Sequence, residues 1–186
     1  MSTAVQPFAG TYVADPVHSS FGFAVEYSGR GKFRGTLGDV SATLTAGDDG
    51  LALEGAARVE SISIQNPPQF RAHVLGPEFF DAENHPEVAF RSTSVELAED
   101  GRARVEGELT IAGTTRPVTI EGTWAEPIPA AGGGLRAGLE LSLAIDRREF
   151  GFDWQMALPG GGVAVGWEVE LDIDLLLMRE DTDAEG

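Results

Sequence analysis

Residues 102–124, RARVEGELTIAGTTRPVTIEGTW, decide the fold class. Up to Ile111, the set Ala103, Val105, Gly107, Leu109 and Ile111 alternates with Arg102, Arg104, Glu106, Glu108 and Thr110. A side-chain period of two sends these two sets to opposite faces of a β-strand. Ala112-Gly113-Thr114-Thr115 then carries turn chemistry, because Gly113 can take the positive φ of a tight reversal. Alternation resumes as Val118, Ile120, Gly122 and Trp124 against Thr119, Glu121 and Thr123. Pro117 lacks an N–H and suits the first residue of the returning strand. The stretch is a β-hairpin with one dry and one wet face. Gly107 and Gly122 on the dry face leave space for bulky neighbours, a sharp bend or a ligand.

Outward from this hairpin the same pattern recurs. Residues 10–14 and 18–27 read as strands separated by the turn-forming pair Asp15-Pro16, with Phe21, Phe23 and Val25 on one face. Residues 28–35 read as a glycine-punctuated loop holding Arg30, Lys32 and Arg34, with spacing that fits no phosphate-binding loop. Residues 37–45 and 51–64 form a hairpin around Gly47-Asp48-Asp49-Gly50, residues 67–75 a short proline-initiated helix, and residues 88–97 a strand. Downstream, residues 127–134 read as a loop and 135–145 as a strand whose Leu139, Leu141 and Leu143 face inward. Residues 146–156 are irregular and contain Phe150, Phe152 and Trp154. Residues 163–177 form a long strand with Trp167, Val169 and Leu171 on one side. The sum is an all-β protein, an extended antiparallel barrel of about eight strands with one or two short helices. Such a barrel holds its own side chains or one elongated ligand. Residues 8–178 are expected to form the single domain, with 1–7 and 179–186 as loose termini.

A chain of 186 residues, 42% of them hydrophobic, can build a full core without covalent staples. It has no cysteine, hence neither disulfides nor thiolate zinc sites. The net charge of -17 argues against nucleic acid and against anionic membrane surfaces as partners. The first basic residue is Arg30 and the longest apolar run is Leu175-Leu176-Leu177-Met178, so neither a signal peptide nor a membrane span is expected, and the chain reads as cytoplasmic. His18, His73 and His85, with Asp15, Asp81 and Asp146, are the candidates for acid–base or metal chemistry. Their wide separation shows no metal-ligand spacing, and no nucleophile-elbow serine or cysteine accompanies them. No catalysis, metal or cofactor is therefore expected. Asp15 is expected to cap the Pro16 turn and His18 to bond nearby backbone. Arg147 and Arg148 would pair with Asp146, Glu149 or Asp153, or else anchor a polar head, and Phe79-Phe80 would plug or gate a barrel mouth.

Several short motifs, in order, resemble the YceI-like, lipid/polyisoprenoid-binding family. They are Asp15-Pro16-Val17-His18-Ser19-Ser20 with Phe21 and Phe23, then Ser61-Ile62, Arg71-Ala72-His73-Val74-Leu75, and Glu78-Phe79-Phe80-Asp81 with Pro86 and Phe90. Gly107-Glu108-Leu109-Thr110-Ile111 with Gly113, Thr115-Arg116-Pro117-Val118 and Arg148-Glu149-Phe150-Gly151 complete the series. This chain departs from the family pattern at Tyr27, where many relatives have histidine, and at Phe70-Arg71, where Arg-Asp is usual. The resemblance implies a lipocalin-like barrel, commonly dimeric, that carries or sequesters an isoprenoid or fatty chain in an apolar lumen. The alternatives are an enzyme acting on an isoprenoid-type substrate and a structural or stress-related barrel without ligand. The wall for such a chain would come from Phe21, Phe23, Val25, Phe79, Phe80, Phe90, Val105, Leu109 and Ile111 in the first part of the sequence. Val118, Ile120, Leu139, Leu141, Leu143, Trp154, Trp167, Val169 and Leu171 would supply the rest. Arg30, Lys32, Arg34, Arg147 and Arg148 would form a head-group rim.

Overall fold

The computed structural model describes residues 4–5 and 8–180, in which the alternating segments become eleven strands. They are β1 (Ala4–Val5), β2 (Gly10–Ala14), β3 (Ser20–Tyr27), β4 (Gly31–Leu37), β5 (Val40–Gly47) and β6 (Gly50–Arg58). After helix α1 (Pro68–Leu75) follow β7 (Glu87–Ala98), β8 (Arg102–Ile111), β9 (Thr114–Pro129), β10 (Leu135–Asp146) and β11 (Val165–Arg179). Short 3₁₀ turns occupy Val59–Ser61 and Arg147–Phe150. All pairings are antiparallel, and the β10–β11 ladder closes the sheet into an eight-strand barrel.

The wall positions number eight because two strands are broken. The upper part of β11 pairs with β3 and its last residues, Leu177 to Arg179, pair with β2, so β2 and β3 share one position. At the break the Asp15-Pro16 turn leaves Leu176 of β11, paired with Gly138 of β10 on one side, without a strand partner on the other. The Asp15 N–H donates to the Leu176 carbonyl at 2.7 Å, and Ser19 Oγ accepts from the Leu176 N–H at 3.1 Å. The Asp-Pro-x-His-Ser motif is thus a patch on an interrupted ladder, and Asp15 does cap the turn, accepting the Val17 N–H at 2.8 Å. His18, however, bonds the Asp15 carboxylate (Nδ1 to Oδ2, 3.0 Å) rather than backbone, and it lowers the Asp15 pKa in doing so. β5 and β4 share the neighbouring position in the same way, paired to β2 and β3.

The organising hairpin has its dry face inside: Ala103, Val105, Leu109, Ile111 and Ile120 are all buried. Its turn is two residues, Ala112 and Gly113, both at positive φ, the backbone that matches strand twist in tight hairpins. β9 therefore starts at Thr114 and Pro117 lies inside it, contrary to expectation. This is tolerated because β9 pairs with β10 only from Glu121 onward, so around Pro117 it pairs on one side alone. Gly107 and Gly122 leave no room for a ligand. A Cβ on Gly107 would meet the Arg91 carbonyl oxygen at 2.3 Å, and one on Gly122 the Glu140 carbonyl oxygen at 1.8 Å. Both glycines admit backbone, not guest.

Other boundaries shift for identifiable reasons. Residues 31–37 are strand rather than loop, because Gly35 is a contact glycine: a Cβ there would sit 2.4 Å from the Phe23 ring. β9 continues through Pro129, which shortens the expected 127–134 loop. Within the expected loose ends, Ala4–Val5 pair with β7 and Arg179 ends β11; residues 1–3, 6–7 and 181–186 lie outside the described residues.

The barrel is solid at one end. Phe8, Tyr12, Leu44, Leu97, Leu139 and Leu177 are almost fully buried there. Phe8 packs edge-on to Tyr12 and against Trp124, whose indole N–H donates to the Ala98 carbonyl. Fully burying a side chain of this size is worth about 1.5–3 kcal/mol, so this end supplies much of the fold's stability.

Candidate functional site

At the other end the barrel is hollow. A cavity of about 1050 Å³ lies between β3, β4, α1, residues 79–80, the 150–156 segment and the upper half of β11. It is wide because the wall there is not continuous sheet. β4 pairs with β3 but not with β6, and α1 bridges the gap, held by Arg71, which donates to the carbonyls of Glu60, Ile62 and Ile64. Ser61 ties the same corner, accepting the Asp39 N–H and donating to the Arg58 carbonyl.

Aromatic rings line the perimeter in an unbroken belt. Phe70 on α1 meets Phe33 at 5.3 Å, Phe33 meets Phe23 at 5.8 Å, and Phe23 meets Phe80 at 5.9 Å. Phe80 continues to Phe152, then to Phe79, Trp154 and His73, which returns the belt to α1. Offset and edge-to-face rings gain about 0.5–1.5 kcal/mol per pair beyond area burial, so the belt fastens α1 and its following loop to the barrel. Phe79 and Phe80 are members of this belt.

Of the expected wall residues, Phe21, Phe23, Val25, Phe79, Phe80, Ile111, Trp154, Val169 and Leu171 line the cavity. Leu109, Ile120, Leu141 and Leu143 face a void of about 60 Å³ lower in the barrel, too small for a chain, and Phe90 lies between that void and a separate polar-lined surface pocket. Val105 and Leu139 are packed into the core, and Val118 packs against it, without touching the cavity. Trp167 leaves the apolar stripe because β11 bulges between Val165 and Val169, spending three residues where β3 spends one. Its ring stacks instead under Arg147 and Arg148, at 4.3 and 4.7 Å.

Among the expected rim residues, Arg30 and Lys32 stand at the mouth, where the exposed Tyr27, Phe70 and Met156 also reach solvent. Lys32 pairs with Glu170 at 3.0 Å. Arg34 is exposed on β4 and does not line the cavity, and Arg148 chelates Asp146 outside it, holding that carboxyl at about 2. Arg147 does line the cavity and is only 3% exposed. Among the described residues no carboxylate pairs with it directly. Its guanidinium donates to the carbonyls of Gly166, Phe152 and Val165, and burial pushes its pKa down without neutralising it.

Reading the sequence missed Phe33, Phe70, His73, Phe150, Phe152 and Met156 as cavity residues. Phe33, Gly35 and Leu37 do alternate with Lys32, Arg34 and Thr36, so the period-two signal was present but masked by glycine. The three histidines face separate carboxylates: His18 with Asp15, His73 with Glu78 at 2.6 Å, and His85 with Asp81 at 3.9 Å. Among the described residues, no three metal-ligating side chains gather.

Comparison with known proteins places this geometry. A UPF0312 protein of Pseudomonas fluorescens is 30% identical over 158 residues, covering 80% of this chain and 79% of that protein. The structure of Burkholderia cenocepacia BcnA superposes with a TM-score of 0.71 at 21% identity, over 88% of this chain and 98% of that one. A polyisoprenoid binding domain from Saccharophagus degradans, implicated in plant cell wall breakdown, gives 0.64 at 11% identity, over 93% and 100%. Residues 12–177 match the YceI-like domain model, and with the barrel and its motifs in register the chain belongs to the YceI-like family.

Proposed function

We propose that the cavity binds a long-chain polyisoprenoid or similarly amphipathic lipid, to carry or sequester it without chemical change. The observation that carries this reading is the cavity itself, about 1050 Å³ and walled by aromatic and aliphatic side chains, at the top of the range of small-molecule sites. Membership of the YceI-like family and a structural neighbour that is a polyisoprenoid binding domain support the ligand class. Burial of about 0.8 kcal/mol per CH₂ means that a few isoprene units offset an association cost of about 4–15 kcal/mol. The tail enters toward Phe21 and Leu171, where the packed half begins, and the head stays near Arg30 and Lys32. A carrier role, cytoplasmic residence and a homodimer belong to the same proposal. They rest on the family resemblance and the cysteine-free composition, and fractionation and sedimentation would test the last two.

Native mass spectrometry and organic extraction of the full chain test the proposal. An isoprenoid mass released from the folded protein is the expected result. Protein that carries no lipid and takes up no added isoprenol would overturn it. Replacing Arg30 and Lys32 with serine should weaken binding of an isoprenyl phosphate several-fold while sparing the uncharged alcohol.

A further inference from the structure

The cavity mouth differs chemically from the rest of the surface. Segments 27–37, 65–77 and 154–167 all supply its walls. They contain no aspartate or glutamate, and four basic residues: Arg30, Lys32, Arg34 and Arg71. The rest of the chain carries all 30 carboxylates, including the flanking Glu26, Glu78, Asp153 and Glu168. Of the carboxylates beside the mouth, Glu78 is engaged by His73 and Glu170 by Lys32, and Glu26 stands opposite Lys32 across the β3–β4 pair. Apolar exposure is concentrated in the same place. Tyr27, Phe70, Met156 and Val163 stand on these segments, and among the described residues only Val17 and Ile128 are comparably exposed large hydrophobics elsewhere.

The net charge of -17 does not govern this face. β11 has 15 residues and is about 50 Å long, whereas charges are screened over about 8 Å at physiological salt. Carboxylates at the packed end therefore contribute almost nothing at the mouth. What a surface meets there is exposed apolar side chains beside Arg30, with the exposed Arg34 close by on β4, a pairing of apolar and basic groups that favours anionic lipid interfaces.

We propose that the mouth docks on an anionic bilayer, with Tyr27, Phe70, Met156 and Val163 at the interface and Arg30 and Arg34 against lipid phosphates. An apolar ligand then passes between bilayer and lumen without crossing water. That purpose rests on the lipid-binding reading; the docking does not.

The test uses flotation of the full chain with phosphatidylcholine vesicles, plain or containing about one-third phosphatidylglycerol, at about 0.15 M salt. The protein should float with the anionic vesicles and hardly with the neutral ones. The double variant Arg34→Glu, Val163→Asp alters two exposed side chains that do not line the cavity. It should lose at least fivefold in vesicle binding, the scale of one surface cation, and keep its affinity for geranylgeraniol in solution. Failure of the parent to bind anionic vesicles, or equal binding by parent and variant, would overturn the proposal. Vesicle binding by a parent that does not bind geranylgeraniol would uphold docking and sink the lipid-cavity reading.

Discussion

One barrel contains two interiors. In the packed half, aliphatics such as Leu44, Leu139 and Leu177 close around the Phe8, Tyr12 and Trp124 rings, and glycines 107 and 122 let neighbouring backbones close on one another. In the hollow half the inward residues are no smaller: Phe21, Phe23, Phe80, Phe152 and Trp154 surround a cavity of about 1050 Å³. The cavity thus does not arise from small side chains. It arises because β2/β3 and β5/β4 are broken strands, so that part of the wall is α1 and a loop, and the aromatic rings pack along that perimeter rather than across it.

Substitutions matched between the halves should break this contrast if it is wrong. The largest effect is expected from Leu141→Glu, which puts an unpaired carboxylate into a closely packed layer at a cost of several kcal/mol or forces its protonation. A melting temperature within a degree or two of the parent would show that Leu141 does not face the interior. Leu139→Ala, at the solid end, should cost about 2–5 kcal/mol in urea denaturation. Val169→Ala, on the cavity wall, should cost about 1 kcal/mol or less, because one side of that side chain already lacks neighbours. Equal losses would mean that the two interiors are packed alike.

A smaller effect concerns the collar above the hollow half. The Asp146 carboxyl is held at about 2, against an ordinary 3.8, by the Arg148 side chain and then by the Arg148 N–H. A depressed carboxylate stabilises the fold above its unfolded value and loses that contribution as pH falls from about 4 through 2. Asp146→Asn should therefore remove that contribution at neutral pH, a small loss since the pair is exposed, and flatten the acid limb so that variant and parent converge at the low end of the window. An unaltered acid limb would mean that the Arg148 contact does not persist in solution.

The barrel was legible in the sequence because its determinant is local. The alternation of 102–111 and 135–145 specifies which face is dry whatever the partners. The short helix was legible from Pro67-Pro68, and the break between β2 and β3 from Asp15-Pro16. Where the hollow lies was not legible, since a dry face looks the same whether it meets a leucine or a ligand. Leu109, Ile120 and Leu141 were therefore expected on the cavity wall and are packed below it. Trp167 escaped for a different reason: a bulge shifts the alternation of β11, and no composition signal marks it beyond Gly166. Phe33 was hidden by Gly35, a glycine that reads as a loop but makes space for the Phe23 ring. The spread of acid-free segments around the mouth was visible residue by residue, but only the fold brings 27–37, 65–77 and 154–167 together.

The central claim, that the hollow half accepts one apolar chain and the packed half stops it, is tested most directly by titrating isoprenols of increasing length. Affinity should rise with each added unit, driven by about 0.8 kcal/mol per buried CH₂, and then level off once the tail reaches Phe21 and Leu171. Affinity that stays flat across the series would contradict a lumen site. Affinity that climbs without a plateau would contradict the floor formed by the packed half.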